Sequence, residues 1–437
     1  MPEFLTLLPP DEARALLLSH LPQPTTDSET IDVLLSLNRI TAEDIYAPHP
    51  LPEFPRTMVD GYAVHARDTF GATESLPAYL TLIGEVPMGE SPEFKLGAGQ
   101  CALIHTGGML PGGADAVVMI EYTQNIAGAE RILNGVERRS AQEIEVFKPV
   151  ADGENVIRVG EDVVQGQTIL VKGSLMRPAE IGGLMALGIT SVSVVKKPYI
   201  GLISSGDEVI DPSQLPRAGQ VRDINSYTLS ALVEKSGGAA KRYGIFADRF
   251  ETLRDAAAKA LSECDAVIIT AGSSASTRDI TADVIRSLGA PGVLVHGINT
   301  RPGKPTILGV CNGKAVIGLP GNPVSALVNG YLFVVPVIEK LLGALPKPKA
   351  TVMAKLTVNL PSQAGREDWW PVKLSSILHS LSGSGREKAL GRDEWFAEPI
   401  FGKSNLIFTL AAADGLLRIH PDATGISAGE MVEVLLI

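Results

Sequence analysis

The chain has 437 residues, of which 45% are hydrophobic and 20% charged, so it holds apolar material for several cores and is not a mainly disordered polymer; its length predicts roughly three domains. Lys and Arg number 38 against 49 Asp and Glu, a net charge of −11. That field repels polyanions, so no nucleic-acid footprint is expected, and an anionic ligand would need cations that converge locally. Cys101, Cys264 and Cys311 are scattered and lack C-x-x-C spacing, which argues against a disulfide framework or a thiolate zinc site and fits a reducing cytoplasm. The 44 glycines and 30 prolines, spread without period, predict many turns.

The first twenty residues carry acids early and no basic segment ahead of an apolar one, so no secretory leader is expected. Asp11–His20 and Glu29–Leu37 read as two short amphipathic helices. From Gly61 to about Lys148 short apolar runs alternate with Gly and Pro, the texture of a small β-barrel or sandwich. Residues 151–196 are mixed, and they leave open a return to the amino-terminal domain with the β module as an insertion. Between Pro198 and Leu345, strands alternate with helical stretches such as SYTLSALVEKSGG and FETLRDAAAKALSE. That alternation predicts βαβ units and a doubly wound parallel sheet with ligands at the strand carboxyl ends. The chargeless stretch Ala315–Ile338 is long enough to span a bilayer, but Pro320, Gly321, Asn322, Pro323 and Pro336 break it, so it reads as a buried strand, a turn and a buried helix. After a proline-spaced linker, residues 350–437 return to strand texture and predict a second small β module.

Several loops carry chemistry. The strand DAVIIT runs into Gly272-Ser273-Ser274-Ala275-Ser276-Thr277-Arg278-Asp279 ahead of a helix, and such small residues let backbone N–H groups approach a phosphate or oxyanion. The same segment also reads as a capping box, Ser276-x-x-Asp279. There is no Walker loop and no G-x-G-x-x-G. Two stiff turns, Arg301-Pro302-Gly303-Lys304-Pro305 and Pro320-Gly321-Asn322-Pro323, lie eighteen residues apart; the first carries two cations and the second starts a helix with Asn322 as N-cap. Asp60, Glu161-Asp162, Asp207-Glu208, Asp223, Asp248 and Asp279 are oxygen donors without a paired histidine, which suits Mg²⁺ better than zinc, although each alone also reads as a cap or solvated turn.

Arg56-Thr57-Met58-Val59-Asp60-Gly61-Tyr62-Ala63 is similar to the S-x-M-D-G-Y-A segment of the molybdopterin molybdenumtransferase family, bacterial relatives of the gephyrin E-domain. Ile104-His105-Thr106-Gly107-Gly108, Gly160-Glu161-Asp162, Ser204-Ser205-Gly206-Asp207-Glu208, Asp223-Ile224-Asn225 and the two Pro-Gly-x-Pro turns continue the resemblance in order along nearly the whole chain. It implies an elongated mixed amino-terminal domain from residues 1–62 and 151–196, an inserted β module at 63–150, an α/β molybdopterin-binding domain at 197–346 and a C-terminal β-barrel at 347–437. The implied reaction inserts molybdenum from molybdate into adenylylated molybdopterin with Mg²⁺ assistance and release of AMP. A homodimer with a shared cleft is also implied. A molybdopterin adenylyltransferase and a molybdoenzyme or chaperone are candidate partners; no nucleic acid or membrane is expected. The other readings are a divergent paralogue, acting on tungstate or another nucleotide-activated ligand, and a non-catalytic pterin-binding scaffold.

Position by position, the resemblance makes Asp60, Thr106, Asp162, Glu208, Asp248, Asp279, Arg301 and Lys304 the catalytic set. Glu208 and Asp279 would bind Mg²⁺ or orient water. Arg301 and Lys304 would hold molybdate or phosphate, with Arg158, Arg366 and Lys403 as further counter-charges. Thr106 and Ser404 would hydrogen-bond the pterin or oxyanion, and Asp60 and Asp162 would act on the other subunit's cleft. Gly272, Ser273, Ser274, Ser276, Pro302, Gly303, Pro320, Gly321, Asn322, Arg366 and Ser404 complete the expected cofactor-binding positions. The chain departs from the family where the usual G-G-x-S-x-G loop trades glycines for Ser, Thr and Arg, and where Arg301 replaces a common lysine.

Overall fold

A computed structural model describes residues 7–23, 27–126, 130–133, 136–139, 142–271, 275–376 and 394–437, with the side chains of 130–139 and 275–279 excepted. Its centre is a six-stranded sheet in the order Ala239–Phe246, Tyr199–Ser205, Ala266–Ala271, Lys314–Pro320, Ile307–Cys311, Pro291–His296. The first four strands are mutually parallel; Ile307–Cys311 alone runs against its two neighbours. All six residues of Ala266–Ala271 are buried, as a strand covered on both faces requires. Helices Asn225–Lys235, Phe250–Glu263 and Ala275–Ser287 cross between strands. The chain steps from Tyr199–Ser205 outward to Ala239–Phe246 and then back across to Ala266–Ala271. The strand order therefore reverses beside Ser205 and Ala271, where an open α/β sheet leaves a crevice.

The chargeless stretch resolves into the strand Lys314–Pro320 and a continuous helical run, Pro323–Leu342. This run is long and apolar enough to cross a bilayer, yet it is mostly buried within the protein. Phe333, Val328 and Ile338 share one core with Leu229, Leu232 and Val233 of the helix Asn225–Lys235. Pro336 has no N–H to return to the carbonyl of Leu332, and the run widens into a π turn at Gly330–Val334 just ahead of it.

One expected element is corrected. Glu29–Leu37 is not a helix: Ser28–Asp32 forms a strand antiparallel to Ser191–Val195, and only Val33–Ser36 makes a short 3₁₀ turn. The apolar spacing suited either element, and a partner strand some 160 positions away decided it. The helix Pro10–Ser19 and the chain just beyond it bury Ala13, Leu17 and Leu21 in the core of the α/β body.

Residues 28–57 pair with 156–195 through three short two-stranded ladders. Between them lies a curled sheet of six strands, in the order Ala116–Met119, Gly61–Val64, Gln100–Ile104, Ala78–Val86, Glu143–Val146, Thr123–Ile126. At the carboxyl end, Glu367–Ser376, Trp395–Pro399, Thr351–Leu356, Met431–Leu436 and Gly415–Ile419 close into a five-stranded barrel through the pairing of the first with the last. Thr300–Arg301 adds to this barrel in parallel with Glu367–Asp368, so a loop of the α/β body is stitched to the barrel wall. Trp369, Leu410 and Leu416 of the barrel join the α/β core itself, and burying each such side chain stabilises by about 1.5–3 kcal/mol.

Candidate functional site

A cleft of about 730 Å³ opens where the α/β body meets the barrel. Among the described residues four cations line it, Arg301, Lys304, Arg366 and Lys403, against one carboxylate, Asp368. The loop carrying Arg301 and Lys304 is held from beneath. Asn329, fully buried in the long helix, donates its amide Nδ2 to the carbonyls of Pro302 at 3.1 Å and Ser325 at 2.8 Å. Gly303 passes over that amide at φ +106°, where a Cβ would overlap Asn329, so only glycine fits. The Arg301 guanidinium lies 5.5 Å from the ring centroid of Trp370. Arg366 grips Asp368 with Nε to Oδ1 at 2.7 Å and Nη2 to Oδ2 at 3.0 Å. From the opposite side the carbonyl of Ser404 accepts the N–H of Val324 at 3.0 Å, which ties the Ser404 loop to the first turn of the long helix. Asn322 occupies the N-cap position there with extended φ and ψ, but its side chain caps nothing.

A second group gathers at the carboxyl ends of the parallel strands. Ser205 donates its hydroxyl to Asp248, and Ser204 donates to buried Asp223 at 2.7 Å. Asp223 also accepts the backbone N–H of Ser226 at 3.1 Å, fixing the start of the helix Asn225–Lys235. Burial, joined by the negative charges of Glu208 and Asp207, pushes the Asp248 carboxyl above its ordinary range. Asn225 donates to the carbonyl of Gly321 at 2.8 Å and links this group to the Pro-Gly-Asn-Pro turn at the cleft; its Oδ1 is buried with no partner. Asp207 and Glu208 lie near enough to Asp248 for their charges to raise its pKa, and carboxylates are the hard oxygen donors that Mg²⁺ takes one or two at a time. Among the described residues no three His, Cys, Asp or Glu are placed so that they could hold a metal ion, and Mg²⁺ commonly binds one or two carboxylates and completes its shell with water and substrate phosphate.

The third group lies on the curled sheet. Asp60 accepts both the backbone N–H of Thr106 at 2.7 Å and its hydroxyl at 3.1 Å; these bonds, with His105 nearby, hold the Asp60 carboxyl below its usual range. His105 Nε2 is 2.9 Å from Glu85. Asp162 donates its backbone N–H to Leu51 at 3.1 Å and leaves its carboxylate exposed.

The structure thus brings Arg301, Pro302, Gly303, Lys304, Pro320, Asn322, Arg366 and Ser404 together in one cleft, with Gly321 at its edge. Asp60, Thr106, Asp162, Glu208 and Asp248 are not among its lining residues. Gly272, Ser273 and Ser274 lie outside the described residues, as do the side chains of Ser276 and Asp279. Sequence reasoning missed Asp368, Trp370 and Asn329. The Trp369-Trp370 pair beside Arg366 was the available signal for the first two.

Residues 8–188 match the MoeA N-terminal region (domain I and II), 201–340 the probable molybdopterin binding domain, and 353–437 the MoeA C-terminal region (domain IV). The molybdopterin molybdenumtransferase of Haemophilus influenzae is 34% identical over 97% of this chain and 97% of its own length, and that of Bacillus subtilis 31% identical over 100% and 96%. A crystal structure of the molybdopterin biosynthesis moeA protein from Pyrococcus horikoshii OT3 covers 99% of this chain and 100% of its own, with a TM-score of 0.80 at 32% identity.

Proposed function

The chain belongs to the molybdopterin molybdenumtransferase family, and from that premise we propose that it inserts molybdenum from molybdate into adenylylated molybdopterin with release of AMP, as a cytoplasmic, Mg²⁺-dependent homodimer. The observation that carries the reading is the cleft. In a chain of net charge −11, four cations face one carboxylate among the described residues of a single space large enough for a pterin and an oxyanion.

Lys304 and Arg301 sit on a loop held rigid by Gly303 and Asn329, which suits them to fix oxyanion charge without reorganising. Pro302, Pro320, Asn322 and Ser404 shape the wall against which the pterin rests. Mg²⁺, held by Glu208 and Asp279, would neutralise the phosphoanhydride as it is cleaved. Asp248, kept protonated to higher pH than an ordinary aspartate, can hold a proton at the strand carboxyl ends, where Ser205 donates to it. Asp60 and Thr106, bonded to each other on the curled sheet, and Asp162 complete the site from the second subunit.

The test mixes purified protein with adenylylated molybdopterin, Mg²⁺ and either molybdate or tungstate, and follows AMP and the metallated pterin. AMP release with molybdate, lost in Lys304→Ala and Asp279→Ala while the dimer persists, is the expected result. Turnover with neither oxyanion refutes the reading and favours a divergent paralogue; tight pterin binding without turnover favours a scaffold.

A further inference from the structure

Resting on the reading that the cleft takes an oxyanion, we propose that Asp368 and Trp370 are positioning residues: they preset the guanidinium groups of Arg366 and Arg301 so that defined edges face the anion. Positions 366, 368 and 370 alternate along one barrel strand and its lead-in, and side chains two apart share a strand face. All three line the cleft.

Asp368 has no exposed surface, and it occupies one edge of Arg366 completely, through Nε at 2.7 Å and Nη2 at 3.0 Å. A guanidinium has five N–H groups in a fixed fork. With the Nε–Nη2 edge used, the free edge is the terminal Nη1–Nη2 pair, whose two parallel N–H groups match two oxygens of a tetrahedral anion. Gln363 makes only a long 3.4 Å contact with Nη1. Trp370 acts on the other arginine in a different way. Its ring lies 5.5 Å from the Arg301 guanidinium, a cation–π distance that restrains the arginine while offering its N–H groups no conventional acceptor. Phe401 braces Trp370 edge-on at 5.6 Å and 71°. The parallel register pairs the backbone of Arg301 with that of Asp368, which brings the strands carrying the two arginines side by side.

A buried carboxylate beside an anion site is unfavourable by charge alone. This gives the proposal a distinctive sign: removing the Asp368 charge should tighten anion binding if only the field matters, and weaken it if Asp368 orients Arg366.

The experiment titrates molybdate calorimetrically into the wild type, Asp368→Asn, Arg366→Lys and the double variant, and in parallel into Trp370→Leu, Arg301→Lys and their double, with melting curves for each. Asp368→Asn is expected to raise the molybdate Kd about tenfold, the scale of one charged hydrogen bond, and to change it less than about twofold once Arg366 is lysine. Trp370→Leu should weaken binding about threefold, again only while Arg301 is present. Equal or tighter binding by Asp368→Asn, weakening that ignores Arg366, or no molybdate affinity in the wild type overturns the proposal. Trp370 is only partly buried, so its variant tests the idea even where Asp368→Asn does not fold. A protein that binds molybdate and shows both couplings but releases no AMP would refute the transferase reading and leave this one standing.

Discussion

Gly303→Ala probes the seam between fold and site. The residue sits at φ +106°, which costs an L-amino acid about 1–2 kcal/mol, and its new methyl would overlap the Asn329 amide. Asn329 is fully buried and packed within the long helix, so it cannot swing into solvent. Making room disrupts the bonds it donates to Pro302 and Ser325, at roughly 1 kcal/mol each. The sum is about 3–4 kcal/mol. For an α/β domain of this size that corresponds to a melting point lower by roughly 6–16 °C. Because the same loop carries Arg301 and Lys304, AMP release should fall at least about tenfold in protein still folded at the assay temperature. Thermal melting by circular dichroism and the AMP assay give the two readouts. Adding Asn329→Ala to Gly303→Ala removes the overlapping group, so the double variant should lose less than the sum of the singles. A Gly303→Ala protein that melts within 2 °C of wild type and turns over normally would refute the argument.

Two further outcomes follow from burial and charge. Burial pushes the Cys101 thiol up to about 12 and the Cys311 thiol up to about 11, and raises Cys264 as well, so native protein at pH 8 should give almost no thiol titre with a chromogenic disulfide and three thiols per chain in guanidinium; rapid labelling of native protein would contradict the packing. Asp248 has a folded pKa above its ordinary value of 3.8, so the folded state binds more protons than the unfolded one as pH rises past 3.8, and stability declines through that window. Urea midpoints across that range should show a shallower decline in Asp248→Asn, and Mg²⁺ should flatten the wild-type slope; identical slopes in both proteins would remove Asp248 from this role.

The parts legible in the sequence were those fixed by local chemistry. Phe250–Glu263 was readable residue for residue as a helix, and Lys314–Pro320 with the helix behind it was readable as core because proline and glycine punctuated an uncharged run. Arg301 and Lys304 stood out because a Pro-Gly-x-Pro loop makes two nearby cations stiff. What stayed hidden depended on distant partners. The stretch Glu29–Leu37 satisfies a helical period, and nothing within it announces the pairing of Ser28–Asp32 with Ser191–Val195. Asp368 reads as one acid among 49 Asp and Glu until the fold buries it, holds it on Arg366 and pairs its backbone with Arg301. Asn329 reads as an ordinary helix residue until the Gly303 turn lands on it.

That register also resolves a tension set by the net charge of −11. At physiological ionic strength the screening length is about 8 Å, so most of the 49 carboxylates do not act on an anion already inside the cleft. There the balance is set by Arg301, Lys304, Arg366 and Lys403 against Asp368, and the barrel strand places the carboxylate where it saturates one arginine edge rather than repelling the ligand broadly. Outside the cleft the whole charge is felt. The dianion must approach an acidic molecule, so its association rate should rise with ionic strength while added salt weakens its grip once bound. Opposite salt dependences of the on-rate and the affinity are therefore the physical signature of a local cationic site built into an acidic chain.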